Sequence, residues 1–295
     1  MKAAAVTIAP ARSRLGELLV LFKVRVNALV VATTAGGFYM ASPDTINLAT
    51  LIGTIAGTAL VAGGAAALNQ VSERDLDRLM DRTRLRPLAD GRMSVREGKA
   101  IAWGACVAGV ALIALTANLL AAAVAALTAV IYAFVYTPMK RVTSFSTVVG
   151  AVPGALPPVI GWAAARGSID APAVALFLIV FLWQLPHFLA IAWLFREDYA
   201  RAALPMLPVV DPDGMSTARQ ALLYATALIP VSVMPSALRM AGAVYAVSAV
   251  ILGFAFFAFC VRFAMNRTKT NARILFLASI VYLPLVWVVM MMDRL

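Results

Sequence analysis

The sequence predicts an all-α polytopic membrane protein, with about nine transmembrane helices bundled around a central cavity that opens to the cytoplasmic side. Three observations predict it. Of 295 residues, 62% are apolar and 13% charged, and the mean hydropathy is +0.88; a soluble domain carries about 25% charged and about 45–50% apolar residues. The apolar residues form long continuous runs, not the short alternating segments of a membrane β-barrel. The charges gather in a few loops rather than along the runs. An ordinary soluble globule, a disordered chain and a collagen-like fibre are all excluded.

Nine runs of about 20 residues are each long enough to cross roughly 30 Å of hydrocarbon. They fall near 22–41, 48–68, 98–116, 119–137, 146–165, 172–195, 220–238, 242–261 and 273–292. None reads as a cleavable signal, since the first run has no small-residue cleavage pattern. The arm before it, with Lys2, Arg12 and Arg14, does not read as a mitochondrial presequence. With the amino terminus in the cytoplasm, 22 basic residues fall on the cytoplasmic side and only Arg166, Arg239 and Arg294 on the other. Basic flanks are retained on the cytoplasmic face, so this split sets the orientation and accounts for the net charge of +11 without nucleic acid. The expected organisation is one transmembrane domain over 1–295, with a cytoplasmic arm (1–21) and two functional cytoplasmic loops (71–97 and 196–219). Its place is a bacterial inner membrane, in contact with lipid on all sides.

Cys106 and Cys260 both lie in apolar runs and read as small buried hydrophobes, not as a disulfide framework. With a single histidine, His187, a metal site of several His or Cys ligands is ruled out. Any metal would need oxygen ligands, as Mg²⁺ prefers.

The strongest constellation follows the second run. Asn69, Glu73, Asp77 and Asp81 recur every four residues, so they share a face if the helix continues. Arg74, Arg78 and Arg82 form a second stripe, and Arg84, Arg86 and Arg92 follow. Like charges at that spacing repel unless a cation neutralises them. Carboxylates of this kind hold Mg²⁺ together with water and substrate phosphate, and arginines grip phosphate oxygens. A solvated helix laced with ion pairs is the plainer reading. Ionisable groups at the end of a membrane span favour the functional one.

Three further segments carry candidates. In Tyr136–Lys140, Lys140 suits phosphate, although taken alone the pair reads better as an aromatic-belt and positive-inside anchor. In Trp183-Gln-Leu-Pro-His187, Pro186 is expected to break or kink the sixth run, and His187 reads as a haem ligand, a general base or a packing residue. Glu197 and Asp198 beyond it suit either a second metal patch or a helix cap. Pro153, Pro157 and Pro158 make the fifth run a broken helix of the sort that lines cavities in enzymes and transporters alike. A transporter would place charges near span centres; here they lie at one interface.

At these residues the sequence resembles the UbiA-type intramembrane prenyltransferases, and within them the heme-modifying branch. Asn69, Glu73 and Asp77 match the superfamily's N-x-x-x-D-x-x-x-D. Met80-x-Arg82-Thr83-x-x-Arg86-Pro87, Trp183-Gln184-x-Pro186-His187, Glu197-Asp198-Tyr199 and Pro205-Met-Leu-Pro208 match that branch. Tyr136-x-x-x-Lys140, Gly154-Ala-x-Pro157-Pro158-x-Ile-Gly161-Trp162 and Lys23-x-Arg25 are also similar. The resemblance runs from about Lys23 into the ninth run. Three departures stand out. Glu73 replaces the usual Asp, the second acidic motif shrinks to Glu197-Asp198, and Val24 stands where a proline is expected.

The resemblance implies Mg²⁺-dependent transfer of a farnesyl group from farnesyl diphosphate to a vinyl group of heme B, with addition of water, giving heme O. A related enzyme acting on a quinone precursor or chlorophyllide is the alternative. Under this reading Asn69, Glu73 and Asp77 hold the metal, joined by Asp198; Arg25, Arg82, Arg86, Tyr136 and Lys140 hold the diphosphate. Tyr132, Tyr136, Phe181 and Phe188 are placed to face the allylic cation. His187 would bind heme or act as base, and a heme A synthase is the partner implied for the product.

Overall fold

The computed structural model describes residues 13–42 and 45–295. Lys2 and Arg12 of the arm lie outside the described residues. Every described element is helical apart from one isolated bridge, Ala241 to Arg294. In chain order these are α1 (Arg14–Leu21), α2 (Val24–Ala41), α3 (Leu48–Asp77), α4 (Val95–Thr116), α5 (Leu119–Val130), a π-helix (Ile131–Tyr136) and α6 (Thr137–Met139). After them come α7 (Ser146–Ala155), α8 (Pro157–Arg166), α9 (Ala171–Leu194), α10 (Arg196–Arg201), α11 (Leu207–Val210), α12 (Met215–Ala237), α13 (Ala243–Met265) and α14 (Lys269–Met292).

Eight of the resulting segments are long and apolar enough to cross a membrane, and α1 with α2, bent by 55°, makes a ninth. The starts are set by side-chain caps where the sequence leaves a run of turn residues. Asn47 accepts from Thr50 N at the start of α3, Ser94 from Glu97 N at α4, and Asn118 from Ala121 N at α5. The Asn118 amide also donates to Ala163 O, tying α5 to α8.

The two expectations about prolines have different outcomes: the break in the fifth run is present, and the break at Pro186 is not. The fifth run does break, at Leu156, but α7 and α8 continue as one span from Ser146 to Arg166. Pro157 and Pro158 open α8, where a missing N–H costs least. The sixth run does not break: α9 passes through Pro186 from Ala171 to Leu194. Membrane helices tolerate proline where packing on neighbouring helices compensates the lost bond, and Pro186 is buried.

The core falls into two large clusters. One gathers α9 and α12–α14 around Trp183, Tyr245 and Phe263; the other gathers α1–α5 and α8 around Leu21, Ile113 and Ile160. Ala165 and Phe177 pack against both. With lipid outside as apolar as the core, such helices are held by close contact of small residues. A Cβ on Gly57 would lie 2.8 Å from Gly109 O, and one on Gly161 would lie 2.7 Å from Phe38 N. A third, smaller cluster (Met80, Ala192, Tyr199, Ala202, Leu204, Met206) packs the loop after α3 and the loop after α9 together. Both loops are therefore folded.

Gly161→Val should push α2 from α8 and cost about 1–3 kcal/mol by overpacking, read as a lower melting temperature in detergent. Gly104 faces open space within α4, so Gly104→Ala should be neutral or stabilising by about 0.5–1 kcal/mol. Equal melting temperatures for both variants would contradict this packing.

Candidate active site

The last turns of α3 carry the site. Asn69, Glu73 and Asp77 are 2%, 4% and 1% exposed, whereas Asp75, two residues out of phase, is exposed. The four-residue recurrence ends at Asp77 because the helix does. Asp81 lies beyond it, exposed, and pairs with Arg84 and Arg201 instead. Of the arginine stripe, Arg74 and Arg78 turn outward to Asp75.

Three cations from three different elements meet the buried face. Lys140 Nζ, just after α6, lies 2.6 Å from Glu73 Oε1. Arg86 Nη1, from the loop after α3, donates to both Asp77 oxygens at 2.8 Å. Lys23 Nζ, at the α1–α2 bend, donates to Asn69 Oδ1 at 3.1 Å. Asn69 Nδ2 in turn donates to Thr137 Oγ1, and Thr137 Oγ1 donates to Tyr132 O. Two carboxylates thus face three cations, and the rim carries an excess of positive charge suited to a polyanion.

Local backbone irregularities place these groups. Lys23 has φ 47°, in the left-handed region, an uncommon state for a residue with a Cβ. It marks the bend that aims its side chain at Asn69. The π-helix at Ile131–Tyr136 inserts an extra residue per turn, so Thr137 N–H bonds Tyr132 O; such bulges are frequent at functional sites. It sets Tyr132 and Tyr136 ring to ring at 5.3 Å, with Lys140 Nζ 4.9 Å from the Tyr136 centroid. Arg86 is delivered by a loop held shut at both ends. Arg92 bridges Glu17 and Leu85 O, Arg78 donates to Ala89 O, and Thr83 donates to Asp77 O. A hollow of about 400 Å³ between α3 and the π-helix–α6 segment is lined by Ser72, Ala133, Phe134, Thr137, Pro138 and Arg141, and of the residues named above only Thr137 borders it.

The other sequence candidates are placed differently. Arg82 is exposed; its guanidinium lies over Phe195 and its backbone N–H donates to Asp198 Oδ2 at 3.4 Å. Asp198 also pairs with Arg201, which reaches Asp81 on the other loop. Asp198 therefore joins the two loops, and Glu197 turns to Lys269 at 2.8 Å. Arg25 is exposed on α2 and has no ion pair among the described residues. The cation entering from that segment is Lys23, and its signal was the K-x-R spacing at the start of the first run. His187 lies on α9 against α14, its Nδ1 2.7 Å from Ser279 Oγ and its ring stacked with Trp183 and Phe276.

Among the described residues, no three His, Cys, Asp or Glu side chains gather to hold a metal. Mg²⁺ does not require that: it binds through one or two carboxylates and completes its shell with water and substrate phosphate. Asn69, Glu73 and Asp77 present only oxygen acceptors for it, one turn apart on a buried face, so the residues fit such an ion.

A helical membrane bundle with a buried amide–carboxylate face and converging cations defines an intramembrane enzyme acting on an anionic, lipid-soluble substrate. The chain belongs to the UbiA prenyltransferase family, whose model matches residues 29–282. It is 47% identical over 289 residues to a protoheme IX farnesyltransferase of Solibacter usitatus, covering 94% of this chain and 98% of that one. The fold matches a solved digeranylgeranylglyceryl phosphate synthase with TM-score 0.79 at 17% identity, covering 95% of this chain and 98% of that one. It also matches a UbiA homolog from Archaeoglobus fulgidus bound to GPP and Mg²⁺, with TM-score 0.62 at 17% identity, covering 93% and 99%.

Arg86→Ala should leave Asp77 buried without its partner, at a cost of about 3–5 kcal/mol. Thermal unfolding of Arg86→Ala alone and with Asp77→Asn measures it. The double variant should recover part of the loss, and additive losses would contradict the pairing.

Proposed function

We propose that this protein is an intramembrane prenyltransferase that converts heme B to heme O. It moves a farnesyl group from farnesyl diphosphate to a heme vinyl group, water adds, and diphosphate leaves. The observation that carries the reaction class is the buried meeting of Lys23, Arg86 and Lys140 with Asn69, Glu73 and Asp77. The substrate pair is supported by the name of the 47%-identical relative.

Each residue has a task in that reaction. The allylic C–O bond breaks with its electron pair passing to diphosphate, so negative charge grows on the phosphate oxygens. Arg86 and Lys140 are the cations poised to take that charge, with Lys23 beside them; preorganised charge of this kind is the strongest lever a dry site has. Bound Mg²⁺, held by Asn69, Glu73 and Asp77, would polarise the same oxygens, in keeping with the solved homolog described with GPP and Mg²⁺. With such an ion held by Asn69, Glu73 and Asp77, the Arg86 and Lys140 side chains that now pair with Asp77 and Glu73 would be free to bind the diphosphate oxygens. Tyr132 and Tyr136 present π faces beside Lys140, suited to an allylic cation. The vinyl electron pair then forms the new C–C bond. Water captures the resulting cation and gives up a proton. His187 is the group we assign to heme. The loop-to-loop bond Asp81–Arg201–Asp198 closes the cytoplasmic rim, and Asp198 acts there more naturally than as a metal ligand. The basic-residue split supports an inner membrane with the amino terminus in the cytoplasm, and a heme A synthase is the proposed recipient of the product.

Membranes containing the protein, given heme B, Mg²⁺ and labelled farnesyl diphosphate, should form heme O by chromatography. Label appearing on a quinone precursor but never on heme would sink the assignment. Asp77→Asn should lower turnover about a hundredfold and raise the Mg²⁺ requirement. His187→Ala should lower heme conversion while farnesyl diphosphate binding persists; equal loss of both would make His187 structural.

A further inference from the structure

His187 is partly exposed although Trp183, Gln184, Leu185 and Pro186 before it are buried. Its ring stacks with Trp183 at 5.2 Å and with Phe276 at 5.1 Å, and Phe188 lies tilted at 5.8 Å. One hydrogen bond orients it: Nδ1 lies 2.7 Å from Ser279 Oγ on α14. Which atom carries the proton follows from the serine. Ser279 Oγ also lies 2.6 Å from Phe276 O, one turn back on its own helix. A carbonyl oxygen only accepts, and a serine hydroxyl has one proton to give. If Ser279 gave that proton to Nδ1, two acceptor oxygens would face each other at 2.6 Å. Ser279 therefore donates to Phe276 O, and Nδ1–H donates to Ser279 Oγ.

The consequence falls on the other ring nitrogen. With the proton on Nδ1, Nε2 carries the lone pair. Among the described residues nothing hydrogen-bonds to Nε2, and it is not enclosed. Ser279 is fixed in turn, since its carbonyl accepts from Trp183 Nε1 at 2.8 Å, and Trp183 sits one turn before His187. The same serine thus holds the stacking indole by its backbone and the imidazole by its side chain.

We propose that Ser279 is a positioning residue: it sets the Nδ1–H tautomer of His187 and turns an Nε2 lone pair outward for the heme substrate. This rests on the assignment of His187 to heme. Groups that orient a ligating imidazole in this way are worth about 10–100-fold in affinity, and the tautomer is fixed by whatever the far nitrogen bonds.

His187 is the only histidine in the chain, so ¹⁵N-histidine labelling of tag-free protein reads one residue. Without heme, wild type should show a protonated Nδ1 and an unprotonated Nε2. Ser279→Ala should shift the population toward protonated Nε2, and Ser279→Thr, which keeps the hydroxyl, should restore the wild-type pattern. A protonated Nε2 in wild type would overturn the proposal outright, even if Ser279→Ala fails to fold. Unchanged tautomers in a folded Ser279→Ala would overturn it as well. Ferric heme B titrated into the same samples should bind about tenfold more weakly to Ser279→Ala, with a changed Soret band, and normally to Ser279→Thr. If His187→Ala binds heme with unaltered spectrum and affinity, the heme assignment fails, while the tautomer measurement still judges Ser279 separately.

Discussion

Burying Glu73 and Asp77 at the end of a membrane helix is the constraint to which much of this structure answers. A lone carboxylate in so apolar a setting is costly, and neutralisation by a paired cation is the usual remedy. The nearest arginines in sequence, Arg74 and Arg78, point away because they lie on the other side of the same helix. The counter-charges must therefore be brought in from elsewhere. Arg86 arrives by folding a loop back on its own helix, Lys140 by way of a π-helix, and Lys23 by a left-handed residue in a bent span. Each local irregularity near the site thus accompanies one cation.

The same arrangement explains why the site has the charges of a substrate-binding centre and not only of a structural pair. A purely structural solution needs two cations for two carboxylates. The third, Lys23, meets only a neutral amide and has no carboxylate partner among the described residues, so an incoming anion would complete it. The loops after α3 and α9, joined through Arg201 and packed on Met80 and Tyr199, lie at this end of the bundle. His187, by contrast, belongs to the other half, between α9 and α14. The two halves of the bundle offer unlike chemistry: cations and carboxylates from one, an oriented imidazole among aromatic rings from the other. The proposed reaction, which joins an anionic isoprenoid to a planar metallated ring, would draw on both.

Several features were legible in the residues alone. The nine apolar runs correspond to the eight spans and the bent ninth, since length and hydropathy are local properties. The stripe of Asn69, Glu73 and Asp77 was visible as a period of four, because a helix converts spacing directly into a shared face. Asp81 shows the limit of that rule. The period continues through it, but the helix stops four residues earlier, and nothing in the period marks the stop.

Periodicity, composition and order of motifs therefore encode the membrane architecture, the acidic face and the family pattern. Tertiary structure alone decided the partners. It chose Lys23 over Arg25 and Arg86 over Arg82, sent Asp198 to a loop clasp, and put Ser279 behind His187, 92 residues away. The reason is geometric: which of several similar cations or hydroxyls meets a given carboxylate or imidazole depends on bends, a π-turn and helix packing, and no one-dimensional spacing carries those distances.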